Sequence, residues 1–403
     1  MREAPALHRR IVFDSRSVPA GWTTWEPWST DNLVGPPDVE TPADLPALIW
    51  HTGGTTGTPK ACYHTHRRYM LGAESFGAAT GVSEGQRWAA AAPIGHALGF
   101  LCYTSFTLVN GATAVLIEEF HRPAALANAI KKHRVETFVA IMASWAGLLE
   151  AIEADPSASQ EVGLTRGYAM WQSASSADIS DAWKKHGVEL QNNFGSTAFA
   201  TWVLIPQGDL DLPRASLGQP APGYTVRAIE TGTEALSDVS PGSIGRMAVQ
   251  GPTGLTYWNR PEQQGHDVVN GWTLVDDLIR FDEDGFAHYL GRTDFLISSA
   301  GYKIAPSEVE GVLSRHPAVA EVGVIGTPDV LRQEIVTAFV ALRDGYAAGD
   351  ALRRELQEFV KAELTPSKYP RRVEFVHALP RDHVGKVQPR VLQEWAKTGE
   401  VHA

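Results

Sequence analysis

Residues 50–60 read Trp-His-Thr-Gly-Gly-Thr-Thr-Gly-Thr-Pro-Lys, so three glycines, four threonines and a lysine crowd into one short loop behind the apolar run 47–50. The run constrains the fold because a buried segment must open directly into a loop of exposed backbone amides. Without a Cβ in the way, the N–H groups of Gly53, Gly54 and Gly57 can approach phosphate oxygens. The hydroxyls of Thr52, Thr55 and Thr56 add donors, and Lys60 adds positive charge. It is not a Walker loop, which needs Gly-Lys followed by Ser or Thr. Here Pro59 precedes the lysine and Ala61 follows it.

Around this loop, short apolar runs alternate with helical patterns. The runs 47–50, 89–92, 113–117 and 137–141 have the length and flanking signals of buried parallel strands. Between them, 123–133 and 143–154 read as helices, an α/β layout. From about Ser216 the texture changes to Gly/Pro-punctuated short strands such as 245–249 and 285–290, which predicts a β-rich subdomain. The charged turn Asp282-Glu283-Asp284-Gly285 reads as a hairpin turn rather than a metal loop. After Asp294 a compact unit of roughly a hundred residues follows. Its expected helices are 307–314 and 350–364, N-capped by Ser307 and Asp350, and its expected strands are 322–325 and 335–342. Leu352, Leu356, Phe359, Val360 and Leu364 form an apolar stripe at helical spacing, so they are core.

At 403 residues the chain exceeds what one core supports, and two or more domains are expected. A formal charge of −11 argues against a nucleic-acid surface. The two cysteines, Cys62 and Cys102, have neither the number of a disulfide framework nor the spacing of a metal site. Residues 1–10 are charged with no apolar stretch behind them, so no secretory signal is expected. The apolar segment 99–117 is interrupted by Thr104, Ser105, Thr107, Asn110 and Gly111, and reads as buried helix and strand rather than a membrane span. These features agree with a cytoplasmic enzyme.

The loop resembles the phosphate-binding signature of the adenylate-forming superfamily, and further resemblances follow in that superfamily's order from about Leu48 to Leu392. Phe194-Gly195-Ser196-Thr197 is similar to the segment whose aromatic ring packs on adenine. Gly271-Trp272 and then Asp276-Asp277-Leu278 resemble the segment whose last aspartate accepts from the ribose hydroxyls, with Arg292 as a donor to that sugar. Gly291-Arg292-Thr293-Asp294 and Gly301 to Glu310 resemble the hinge and the first helix of a mobile C-terminal domain. Gly385-Lys386-Val387, shortly after Pro380, resembles the catalytic-lysine loop. Ala92 to Phe100 resembles the segment in aryl- and acyl-CoA ligases where a histidine, here His96, approaches the substrate carboxylate. Residues 173–177 occupy the place of a Gly-rich strand end beside adenine.

The resemblance implies an α/β N-terminal domain over 1–293, its β-rich part at about 216–293, and a small α+β domain over 294–403 that swings about Asp294. It implies ATP, Mg²⁺ and CoA as cofactors, with Thr56 at the metal and Gly301 and Lys303 beside the pantetheine tunnel. No aspartate opens the acyl-pocket segment, which favours a neutral and aromatic acid, closest to the benzoate and aminobenzoate ligases. Tyr63-His64-Thr65-His66 reads as the strand-to-helix junction after the phosphate loop rather than a metal pair.

Three departures stand out. Ala198 replaces the glutamate that usually helps hold Mg²⁺. Val275-Asp276-Asp277 lacks the usual Thr-Gly before the ribose aspartate. The phosphate loop also begins near Gly53, much earlier than is usual, so apolar surface is expected to be covered by a homodimer, a partner chain or residues upstream of Met1. Trp22, Trp25 and Trp28 are candidates to cap part of it. Acyl-CoA formation is therefore weighed against loading of a carrier protein and against a non-catalytic nucleotide-binding role.

Overall fold

A computed structural model describes residues 11–12, 23–24, 40–52, 60–154, 163–170, 176–207, 213, 216–231, 236–381 and 387–399. Two compact units divide the chain, 1–45 and 46–403. In the first, Ile11–Val12 pairs in parallel with Thr23–Thr24. Trp22, Trp25 and Trp28 lie outside the described residues.

The second unit contains a five-stranded parallel sheet in the order Thr113–Val115, Arg87–Ala90, Thr137–Ile141, Arg166–Met170, Glu189–Asn192. Parallel neighbours require crossovers, and the crossovers bury the sheet. Helices Pro123–His133, Met142–Ala154 and Ser176–Lys185 provide them, with Ile130, Trp145, Leu148 and Trp183 fully buried against Phe138. A second core forms where helix His66–Thr80 brings in Phe76. Its ring stacks on Phe106 at 3.7 Å and meets Trp88 and Trp202 edge-on. Trp202 belongs to Thr201–Ile205, the middle strand of a three-stranded antiparallel sheet with Phe194–Ser196 and Gln219–Pro220. The aromatic cluster therefore fixes the segment Phe194–Ser196 relative to the parallel sheet.

One expected parallel strand is not parallel. The run 47–50 lies in Pro46–Thr52, which pairs antiparallel with Lys60–Thr65. Only seven residues, 53–59, separate the two arms, too few for the crossover a parallel partner needs. Beyond Thr225 the expected β-rich texture is an antiparallel sheet in which Trp272–Phe281 pairs with Gly245–Gln250, Val268–Val269 and Ala287–Arg292. Asp282 closes the hairpin turn by accepting from the Phe286 amide and from His288, each at 2.8 Å.

In the C-terminal region Gln333–Leu342 is flanked by Val319–Asp329 and Ile297–Ser299, with Tyr302–Ile304 beyond and Arg372–Val376 added in parallel. Helix Asp350–Glu363 buries Leu356 and Val360 in this core, as its stripe predicts. Two capping expectations are corrected. Ala305 is the N-cap of Pro306–Leu313, because proline is suited to the first helical position and Glu308 accepts from the Ala305 amide. Ser307 instead donates to the Leu290 carbonyl at 2.7 Å. Gly349 caps the next helix, which leaves Asp350 inside it and paired with Arg353. Among the described residues no helix is long and apolar enough to cross a membrane.

The Phe76 ring is fully buried at the junction of two sheets. Phe76→Ala is expected to destabilise the chain by about 3–5 kcal/mol, the usual cost of emptying a large aromatic site. Urea unfolding checks this, and a loss under about 1 kcal/mol would show that the cluster does not hold the sheets together.

Candidate active site

The arms of the hairpin bring Thr52 opposite Lys60, so the loop between them is closed at its base. Gly53, Gly54, Thr55, Thr56 and Gly57 lie outside the described residues, Thr56 with the metal role expected of it. Lys60 Nζ sits 5.7 Å from the centre of the Tyr257 ring. The returning arm is held on both sides: beyond its pairing with Pro46–Thr52, the Tyr63 amide donates to the Thr256 carbonyl and the Trp258 amide to Ala61, both at 2.9 Å. Thr65 then caps helix His66–Thr80, so residues 63–66 are the strand-to-helix junction their sequence suggested.

Asp277 is nearly buried on Trp272–Phe281, directly opposite Arg292. A burial this deep requires partners for the carboxylate. Tyr289 donates its hydroxyl to Asp277 at 3.0 Å, and the Arg292 guanidinium lies 3.9 Å away. In a regular strand Tyr289 and Arg292 would face opposite sides of the sheet. A register shift between Leu278 and Ile279 skips Leu290 and turns both toward Asp277, and Gly291, at φ +111°, supplies the left-handed backbone there. The Tyr289 ring stacks on Phe194 at 6.2 Å and 26°. Phe194, Tyr289, Asp277 and Arg292 thus form one continuous surface of ring, hydroxyl, carboxylate and cation.

Electrostatics follow from this packing. Burial and then the Asp277 charge push the Tyr289 phenol well above its ordinary range, so it remains a donor. Burial works against the Arg292 charge, but Asp277, Asp294 and Asp276 outweigh it and raise its pKa. Arg292 also bonds Asp294 at 3.3 Å, while its Nε–H is buried without a protein partner. Gly195 is required where it stands: a Cβ would lie 2.4 Å from the Trp202 ring and 2.7 Å from the Thr201 carbonyl.

His96 follows Arg87–Ala90, the strand from which the chain moves first to one neighbour and later to the other. Such a switch point opens a crevice at the carboxyl ends of the strands, where open α/β sheets bind ligands. His96 caps helix Ala97–Tyr103 by accepting from the Leu98 amide at Nδ1, 3.2 Å, and its side chain is otherwise exposed. Asp294 sits in a short 3₁₀ turn, Thr293–Phe295. Gly301, at φ +85°, turns the hairpin joining Ile297–Ser299 to Tyr302–Ile304, and Lys303 donates to Ser298 at 2.7 Å. Lys386 is outside the described residues. Its loop is closed at the base by the Arg381–Val387 bridge and by the Gln388 amide on Pro380, 2.8 Å. Of residues 173–177, 173–175 lie outside as well.

Among the described residues no three His, Cys, Asp or Glu side chains converge as a metal site. Ala198 is buried in the apolar core beside Phe199 and offers no oxygen. At position 198 the chain thus offers Mg²⁺ no carboxylate.

Two functional candidates escaped the sequence pattern. Tyr289 sits in a run whose alternation marks it only as strand, and the register shift that turns it inward leaves no periodic trace. His64 is fully buried, with Nε2 2.7 Å from the Thr197 carbonyl. A carbonyl only accepts, so Nε2 carries the proton, and Nδ1 is buried without a partner. Burial lowers the His64 pKa to about 4; the Thr197 bond opposes the shift and Arg68 reinforces it.

The AMP-binding enzyme profile matches residues 2–258, and the AMP-binding enzyme C-terminal domain profile matches residues 308–386. The chain is 33% identical to the benzoate–CoA ligase of Thauera aromatica over 84% of its own length and 64% of that protein. It is 31% identical to the mitochondrial acyl-coenzyme A synthetase ACSM5 of Homo sapiens over 98% of its own length and 69% of that one. It thus spans about two thirds of the length of these curated relatives. Its fold is similar to that of the anthranilate CoA ligase AuaEII in complex with anthranoyl-AMP, at a TM-score of 0.83 and 24% identity, covering 98% of this chain and 75% of the other.

His64 titrates at its ordinary 6.5 in the unfolded chain and at about 4 when folded. The unfolded state binds the extra proton between these values, so this stability is fully present above about pH 6.5 and falls as pH drops toward 4. His64→Gln removes the titration. The melting-temperature difference between wild type and variant should therefore shrink between pH 7 and pH 5, and a constant difference would refute the assignment.

Proposed function

The chain belongs to the AMP-binding enzyme family, and from that premise we propose that it joins a carboxylic acid to AMP and passes the acyl group to the thiol of CoA. The observation that supports this most is the surface formed by Phe194, Tyr289, Asp277 and Arg292, which has the order of a nucleoside. The flat face of Phe194 suits a base, the Asp277 carboxylate accepts from two ribose hydroxyls, and the Arg292 guanidinium donates to the same sugar.

In the first step the substrate carboxylate attacks the α-phosphorus of ATP and pyrophosphate leaves. The charge that develops needs donors already in place. The amides and hydroxyls of 52–57, Lys60 and Lys386 take that role. His96, at the switch point of the sheet, orients the acid. In the second step a thiolate attacks the acyl carbon of the adenylate and AMP departs. Residues 294–403 turn about Asp294 between the steps, withdrawing Lys386 and presenting Gly301 and Lys303 to the pantetheine arm, so one site serves two reactions. Likeness to the Thauera benzoate–CoA ligase supports an aromatic acid such as a benzoate or aminobenzoate. Ala198 favours a second reading, nucleotide binding without turnover, because it removes a carboxylate from the phosphate side of the site.

Pyrophosphate and AMP release measured over a panel of aromatic and aliphatic acids, with and without CoA, separates these readings. CoA-dependent AMP release with an aromatic acid is the expected result, and ATP binding without pyrophosphate release from any acid would leave the second reading. Lys386→Ala is expected to lower adenylation about 10²- to 10³-fold with ATP binding nearly unchanged, the usual effect of removing one preorganised transition-state donor. Unchanged pyrophosphate exchange in that variant would remove Lys386 from the mechanism.

A further inference from the structure

Sequence pattern marks His64 only as part of a strand-to-helix junction, yet it is among the most constrained side chains near the site. Its strand is fixed on both sides, by Leu48 opposite it on Pro46–Thr52 and by the bonds from residues 61 and 63 to 256–258. The Trp50 ring lies 5.7 Å away. Its bond reaches across 133 positions of sequence to Thr197, whose carbonyl also receives the Cys62 thiol at 3.8 Å.

Thr197 lies in a turn that needs such a hold. The Ser196 hydroxyl accepts from the Ala198 amide, the Phe199 amide donates back to Ser196, and Ala200 is forced to φ +52°. A left-handed backbone at a residue with a Cβ persists only where the surroundings over-determine it. The buried, unpartnered Nδ1 adds a second cost. An apolar residue would fill the space without that cost, but it would not supply the donor.

We propose that His64 is a positioning residue, whose Nε2–H ties the Phe194–Thr197 wall of the nucleotide site to the strand returning from the phosphate loop. The proposal rests on the adenylation reading above. Without this tether the turn relaxes and the wall moves relative to Thr52 and Lys60, while the reacting groups are unaltered. The loss is therefore one of nucleotide binding common to ground and transition states, which raises KM with kcat unchanged.

The test compares the full chain carrying His64→Gln with His64→Met. The two side chains have similar length and volume, but only glutamine places an N–H donor where Nε2 stood. With ATP varied at saturating acid, at a temperature where melting curves show all proteins folded, His64→Met is expected to raise the KM for ATP about tenfold. Its kcat and its KM for the acid should stay within about twofold of wild type, and His64→Gln should restore the KM for ATP to within about twofold. A lowered melting temperature with unchanged KM for ATP in His64→Met would make His64 merely structural, and equal defects in the two variants would deny the role of the donor. Calorimetry with ATP separates the layers: a wild-type chain that binds no ATP overturns the adenylation reading and this proposal with it, whereas a wild type that binds and turns over ATP beside an unimpaired His64→Met overturns the proposal alone.

Discussion

A carboxylate taken out of water must find compensation where it is buried, and Asp277 imposes that condition on the whole central region. Strand Ala287–Arg292 compensates it with Tyr289 and Arg292, which a register shift turns to the same face. Once Tyr289 is fixed by Asp277, its ring sets the position of Phe194. Phe194 in turn belongs to the sheet that Trp202 anchors to the aromatic core beneath the parallel sheet. A single buried charge thereby couples the antiparallel sheet to the α/β core.

The two loops proposed to face phosphate share a different design. Each is closed at its base by paired residues, Thr52 with Lys60 and Arg381 with Val387. Arg381 is further held by Glu321 at 2.5 Å, which attaches the Lys386 loop to the strand Val319–Asp329.

Much of this was legible in the sequence, for physical reasons that differ by element. Helix Pro123–His133 was readable because its apolar spacing matches the helical period, and strand Thr137–Ile141 because a short apolar run between turn and helix signals marks a buried strand. The stripe of Asp350–Glu363 was readable by the same helical period. The partner of 47–50 was not, since an apolar run does not encode whether its neighbour is parallel; the short loop decided that. Ser307 and Asp350 were misplaced as caps by one or two residues, because proline at 306 and glycine at 349 take precedence at helix starts. Of the candidate site, Asp277, Arg292 and Phe194 were singled out by their motifs; the structure places all three around Tyr289, and their roles are proposals. Tyr289 and His64 were missed because each acts through a contact distant in sequence or through a bulge that breaks period-two alternation.

The role proposed for Asp277 is to grip a ribose. Calorimetric titration of AMP and of 2′,3′-dideoxy-AMP into wild type and Asp277→Asn tests it most directly, because the two ligands differ only in the hydroxyls the carboxylate would accept from. Wild type is expected to bind AMP at least about tenfold more tightly than the dideoxy ligand, the equivalent of about 1.4 kcal/mol, and Asp277→Asn is expected to lose most of that preference. Equal affinities in wild type, or a preference that survives in Asp277→Asn, would contradict the account.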